Sequence, residues 1–267
     1  MPDYAIADDG TRLAWEQEGI GVPVLLVAGQ ATGMRGWGPF ADELARDFRV
    51  IRFDHRGIDD SEAGDPAHYT TRVFAADAVA VLDAAGVQAA HVVGHSMGGR
   101  VAQWIAIDHP ERVRRLVLIA TSASDRAGER RDRSAVADLL SGDRQRMLPL
   151  FFDEEWASRN PQAVDAFFHR RAGRPALRGH FAASRDHDAL GHLGEIRAES
   201  LVLHGSRDRL TPADHARLLA GGIPRARLIE WDAGHGLHLD TPEVARETRD
   251  FLLPPGQRRL ESGPGAE

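Results

Sequence analysis

Apolar residues in this chain fall into short continuous runs separated by longer amphipathic stretches. Residues 22–28 read Val-Pro-Val-Leu-Leu-Val-Ala, and residues 113–120 read Val-Arg-Arg-Leu-Val-Leu-Ile-Ala. Continuous runs of this length predict strands buried on both faces of a sheet. Shorter runs at 49–53, 91–93, 201–204 and 226–231 predict further strands. Two opening strands are expected at 4–7 and 11–16, with Asp9-Gly10 as the turn between them. Residues 71–85 carry Val73, Phe74, Val79, Val81 and Leu82 on or near one face at helical spacing. Helices are also expected at 38–47, 100–107, 212–220 and 241–252. Strands alternating with helices predict the α/β class: a mostly parallel sheet, here of eight strands, with helices on both faces.

That rhythm stops between about 122 and 193. The stretch has no strand-like run and carries Phe151, Phe152, Trp156, Phe167, Phe168 and Phe181, so a helical insertion is expected. The chain then divides into a core of residues 1–121 and 194–253, the insertion 122–193, and a tail 254–267. The tail is polar and rich in proline and glycine, which predicts disorder.

Composition narrows the chemistry. At 267 residues and 42% apolar content the chain can build one large core with an insertion. A formal charge of −7 implies no net basic surface, so nucleic acid is not the expected partner. Cysteine is absent, which excludes disulfides and thiolate chemistry. Lysine is absent too; all 33 basic residues are arginine. Ser-Lys dyads, Schiff bases, pyridoxal phosphate chemistry and a P-loop lysine are excluded with it. The first ten residues are acidic and mixed, unlike a secretory signal, and no apolar run approaches the roughly 18 residues of a membrane span. A cytoplasmic protein without membrane contact, monomeric or homodimeric, is the expectation.

The strongest chemical signal is Gly94-His95-Ser96-Met97-Gly98, which lies between a predicted strand and a predicted helix. A serine on such a strand–turn–helix junction is held in strained geometry with its hydroxyl outward, and close packing requires the flanking glycines. A serine nucleophile needs a base, and the base needs an orienting carboxylate. In a parallel sheet all three come from loops at the carboxyl ends of strands. Asp208 follows the strand at 201–204, and His235 follows the strand at 226–231 in Asp232-Ala-Gly-His235-Gly236. The order Ser96, Asp208, His235 suits a nucleophile-elbow enzyme. Asp208 could instead cap the following helix, a role for which Thr211 is better placed. His95 and His204 are expected to be structural. His235, His238 and Asp240 also form His-x-x-His-x-Asp, but without further ligands a metal site is not expected. Two N–H donors must face the developing oxyanion: the amides of Met97 and of Gln30, in the loop after the strand at 22–28.

These motifs resemble the α/β-hydrolase superfamily over nearly the whole chain. Gly94-His-Ser-Met-Gly-Gly99, Gly205-Ser-Arg-Asp208-Arg-Leu-Thr-Pro212 and Ala233-Gly-His235-Gly-Leu-His238 look like its nucleophile, acid and base loops. Phe53-Asp-His-Arg-Gly-Ile-Asp-Asp-Ser61 looks like its D-x-R-G-x-G-x-S segment, with Asp59 where that pattern has glycine; at a left-handed position Asp is tolerated, so a local adjustment is expected. The oxyanion loop reads Ala28-Gly29-Gln30 where the family usually has His-Gly. The segment 181–188 is similar to small-ester and enol-lactone hydrolases and to polyketide methyl-esterases. A serine nucleophile argues against epoxide hydrolase and haloalkane dehalogenase activity.

The resemblance implies that 122–193 forms a helical lid over the serine. Gly29, Trp37, Phe151 and Trp156 are the candidate pocket residues, Trp37 by its position just after the oxyanion loop. An arginine of the insertion facing inward could hold a substrate carboxylate, although nearby acids balance these arginines and a solvated surface accounts for nearly all of them. The expected function is serine hydrolysis of a small carboxylic ester or lactone through an acyl-enzyme at Ser96, with no metal or cofactor. The same three residues could serve a carbon–carbon bond hydrolase or a repurposed cyclase, and a non-catalytic binding protein is a further alternative.

Overall fold

The computed structural model describes residues 2–254. The expected disordered tail, except residue 254, lies outside the described residues. The strands are β1 (Asp3–Ile6), β2 (Arg12–Glu18), β3 (Val22–Val27), β4 (Phe48–Phe53), β5 (Ala90–His95), β6 (Val113–Ile119), β7 (Glu199–Gly205) and β8 (Ala226–Trp231). They form one sheet in the order β1-β2-β4-β3-β5-β6-β7-β8. β1 and β2 pair antiparallel, as do β2 and β4, and every later pairing is parallel.

The core helices are α1 (Gly38–Leu44), α2 (Thr71–Ala84) and α3 (Met97–Asp108). The insertion supplies α4 (Arg133–Leu140), α5 (Arg144–Phe151), α6 (Glu154–Arg159), α7 (Pro161–Phe168) and α8 (Arg174–Arg185). The chain returns to the core with α9 (Asp214–Gly222), α10 (Leu237–Asp240) and α11 (Pro242–Leu252).

Alternation along β3 explains the layers. Leu25 and Val27 join the cluster that contains Phe74 of α2 and Val101 and Ile105 of α3. Val24 and Leu26 join the other cluster, with Phe40 and Leu44 of α1 and Phe251 of α11. Successive side chains of a strand point to opposite faces, so a central strand covered on both sides must be apolar throughout. The helices take their bounds from local chemistry. Thr70 caps α2 by accepting the Val73 N–H at 3.0 Å, and Gly86 ends it at φ +68°. Neither Asp208 nor Thr211 caps the helix that follows: α9 begins at Asp214, behind Ala213, with no side-chain cap.

Register brings the loops together. Val27 lies opposite Gly94, so the 28–31 loop and the Ser96 turn leave the sheet side by side. Gly205 lies opposite Trp231, so the chain leaves β7 and β8 at the same level. The insertion is tied to this edge by Arg100 of α3, which donates to Asp125 at 2.6 Å, to Ser122 Oγ at 2.8 Å and to the Ser184 carbonyl.

Candidate active site

Ser96 stands between β5 and α3 at φ +54° and ψ −119°, a left-handed conformation for a residue with a side chain. Its N–H donates to the Ile119 carbonyl at 2.9 Å, and the Thr121 hydroxyl donates to its carbonyl at 2.7 Å. Such a conformation costs on the order of 1–3 kcal/mol and persists where the surroundings fix it. The neighbouring glycines permit it. A Cβ on Gly94 would lie 2.4 Å from the Gly98 carbonyl oxygen, and one on Gly98 would lie 1.9 Å from that of Val27.

Three predicted residues converge. The hydroxyl of half-buried Ser96 is 2.8 Å from His235 Nε2, and His235 Nδ1 is 2.6 Å from Asp208 Oδ2. The second oxygen of Asp208 accepts the N–H groups of Leu210 and Thr211, each at 2.8 Å. Burial pushes the Asp208 carboxyl up, but the adjacent His235, then His204 and the Thr211 N–H, outweigh it and hold it below the usual carboxylate range. The carboxylate is therefore ionised and fixed against Nδ1, which leaves Nε2 free to accept the serine proton.

The two expected oxyanion donors, the N–H groups of Gln30 and Met97, donate to no acceptor among the described residues. Met97 is the first residue of α3, where a helix leaves its amides without internal partners. His95 takes a structural position, as its ring Nε2 lies 2.9 Å from the carbonyl of His235 and so joins the nucleophile turn to the base loop. His204 bonds the Thr211 carbonyl at 2.8 Å. His238 turns into an aromatic cluster with Trp37, Phe40 and His95, while Asp240 accepts the Asp153 N–H at 3.1 Å. The His-x-x-His-x-Asp residues thus face different partners.

The model of the α/β-hydrolase fold family matches residues 22–242. The chain belongs to the α/β-hydrolase family. A relative from Azorhizobium caulinodans that carries the name carbamate hydrolase RutD is 34% identical, over 92% of this chain and 96% of its own. The 2-hydroxymuconate semialdehyde hydrolase of Pseudomonas sp. strain CF600 is 32% identical, over 91% of each. Among solved structures, the enol-lactonase of Burkholderia xenovorans LB400 superposes with a TM-score of 0.80 at 26% identity, covering 94% of this chain and 99% of that one.

Within this α/β-hydrolase, Ser96 and His235 face a cavity of about 40 Å³ that Gly29 and Phe151 also line. A second cavity of about 200 Å³ lies beside it, and Gln30, Thr32, Leu139 and Phe151 line both. Of the four candidate pocket residues, Gly29 and Phe151 line the smaller cavity, and the two tryptophans line neither. Trp37 is only 2% exposed and packs its ring 5.3 Å from those of Phe40 and His238, behind the oxyanion loop. Trp156 packs on Phe152, with ring centroids 5.1 Å apart, and leaves Phe152 between itself and the base loop. Sequence reasoning missed Thr32 and Leu139. Thr32 carried a faint signal, a small polar residue two places after Gln30; Leu139 carried none. A Cβ on Gly236 would lie 2.5 Å from the Phe152 ring and 2.7 Å from the Phe151 carbonyl oxygen, so Gly236 lets the base loop lie against α5. The insertion in turn accepts the N–H groups of His235 and Gly236 on the carbonyls of Leu150 and Phe151, at 3.1 and 2.8 Å.

Proposed function

We propose that the protein is a serine hydrolase that cleaves a small carboxylic ester or lactone through an acyl-enzyme at Ser96. One observation carries the reading: the continuous chain from Ser96 through His235 to Asp208, at 2.8 and 2.6 Å, open to a cavity. Ser96 attacks the carbonyl carbon while His235 Nε2 takes its proton. The oxyanion receives the N–H groups of Met97 and Gln30. His235 then protonates the leaving oxygen, and Asp208 steadies the imidazolium meanwhile. Water attacks the acyl-enzyme with the same base and releases the acid. No step requires a metal or cofactor. The helical insertion acts as the lid that walls the substrate from solvent. The likeness to an enol-lactonase supports the lactone or ester class.

The experiment is burst kinetics with p-nitrophenyl acetate and butyrate, wild type beside Ser96→Ala. The expected result is a burst equal to the enzyme concentration, and a loss of at least about a thousandfold in the variant. Equal turnover by the two proteins overturns the reading. A second reading, hydrolysis of a carbon–carbon bond in a diketone-like substrate, draws on the likeness to 2-hydroxymuconate semialdehyde hydrolase. Ser96-dependent cleavage of such a diketone by a protein inert to both aryl esters is the result that favours it.

A further inference from the structure

Arg170 lies between α7 and α8 and lines the 200 Å³ cavity. It also borders the outer groove that contains Arg144 and Asp165, so it stands at the mouth of the cavity. Its surroundings differ from those of the other arginines of the insertion. Arg144, Arg146 and Arg171 are exposed and paired with Asp165, Asp138 and Asp60. Arg130, Arg133, Arg174 and Arg178 are also exposed, where water solvates them. Arg131 borders the small cavity, but its guanidinium is 2.9 Å from Asp125. Arg170 is half-buried, and it has no ion pair or hydrogen bond among the described residues. Burial holds its guanidinium below the usual arginine range, and no acid nearby counters that.

The rest of the lining sharpens the contrast. No aspartate or glutamate lines either cavity, and the walls near Arg170 are Phe167, Phe168, Leu177 and Phe181. A half-buried, unpaired cation in an acid-free apolar pocket gains most from an anionic ligand, and guanidinium grips a carboxylate through two parallel hydrogen bonds. The shared walls, Gln30, Thr32, Leu139 and Phe151, connect this cation to Ser96.

We propose that Arg170 binds a carboxylate at the far end of the substrate, so that the protein acts on esters or lactones of a dicarboxylic skeleton with an apolar spacer. The spacer runs along the phenylalanine walls, the scissile carbonyl sits at Ser96, and the free carboxylate reaches Arg170. This inference rests on Ser96 being the nucleophile toward esters.

The test compares p-nitrophenyl hemi-esters of adipic and suberic acid with neutral acyl esters of the same chain length. Wild type, Arg170→Gln and Arg170→Lys are measured side by side, with Ser96→Ala as the blank. The readout is the ratio of kcat/KM for the charged ester over its neutral partner. A charge-assisted bidentate contact corresponds to roughly a tenfold to hundredfold fall of that ratio in Arg170→Gln, and to a smaller fall in Arg170→Lys, which keeps the charge but not the fork. A ratio that is the same in all three proteins, with Ser96-dependent turnover intact, overturns the role of Arg170 and leaves the ester reading standing. If no ester shows Ser96-dependent turnover, the ester reading is overturned. Calorimetric titration of adipate into Ser96→Ala with and without Arg170→Gln then decides Arg170 alone: tighter binding with the arginine present supports the carboxylate site, and equal binding overturns it.

Discussion

Asp59 shows how one residue can join the core to the helical insertion. Its backbone is left-handed, at φ +46°, which is the conformation the family's usual glycine takes freely. The aspartate tolerates that strain, and of its two backbone contacts with Arg171 the one through its carboxylate is beyond a glycine's reach. Its N–H donates to the Arg171 carbonyl at 2.8 Å, and its carboxylate accepts the Arg171 N–H at 2.6 Å. The carboxylate also fills the space over Gly33, where a Cβ would lie 2.2 Å from Asp59 Oδ2. The departure from glycine is therefore a local adjustment with a use. Asp59→Ala keeps the strain and loses the carboxylate contact, so it should lower stability by about 2 kcal/mol. Asp59→Gly loses the same contact but relieves the strain, and its loss should be smaller. Urea unfolding of the three proteins gives the order: wild type, then glycine, then alanine. An alanine variant as stable as wild type would show that the contact contributes nothing.

At the scale of elements, the site depends on how closely α3 approaches β3. Gly98 sits in the first turn of α3, and a Cβ there would overlap the carbonyl oxygens of Val27 and Ala28, at 1.9 and 2.5 Å. Both are backbone atoms and cannot rotate away. Gly98→Ala must push the helix off the sheet and carry the Met97 N–H with it. A destabilisation of about 3 kcal/mol is expected, with hydrolase activity falling further than the folded fraction measured by circular dichroism. Full activity in a soluble variant would mean that the helix can shift without moving the donor. The strands were legible for another reason. All eight strands appear where continuous or alternating apolar runs predict them, because buried strands must be apolar and loops at their ends must be polar. Ser96, Asp208 and His235 follow from motif and order. What was not legible depends on packing between distant segments. β5 begins one residue earlier and ends two later than its apolar run, because Gly94 and His95 still pair with β6. The 122–193 stretch reads as helical, but the phase of each helix is set by what it meets. Trp156 was a fair pocket candidate by composition, yet α6 turns it onto Phe152, while Leu139 of α4 reaches the cavity. Nothing in local spacing distinguishes Arg170 from its neighbours either; only its lack of a partner does.

Across the whole molecule, buried histidines outside the Ser96–His235–Asp208 chain make stability depend on acid, and three of them, His55, His91 and His180, show how. Burial lowers His55 to about 3, and His91 and His180 to about 4. His55 and His180 each use Nε2 on a backbone carbonyl, of Ala28 and Arg56, at 3.0 and 2.9 Å. The Nδ1 of all three is buried without a partner, so a second proton would be placed where nothing accepts it. Their folded values lie below the unfolded one of about 6.5, so the unfolded chain binds more protons as pH falls through that value. Their stabilising contribution is complete above about pH 6.5 and is lost progressively toward pH 4, by about 2 kcal/mol for each histidine at pH 5. Asp54 acts in the opposite direction. Burial raises its carboxyl to about 6, above its unfolded value, so the folded state regains about 1 kcal/mol between pH 7 and pH 5. The histidines outweigh it. Because domains of this kind are stable by only about 5–15 kcal/mol, the urea midpoint should fall steeply between pH 7 and pH 5. His180→Gln should flatten that fall by about 2 kcal/mol, since glutamine can still donate toward the Arg56 carbonyl without titrating. A midpoint independent of pH over this range, in wild type and variant alike, would mean that the buried imidazoles accept protons without cost to the fold.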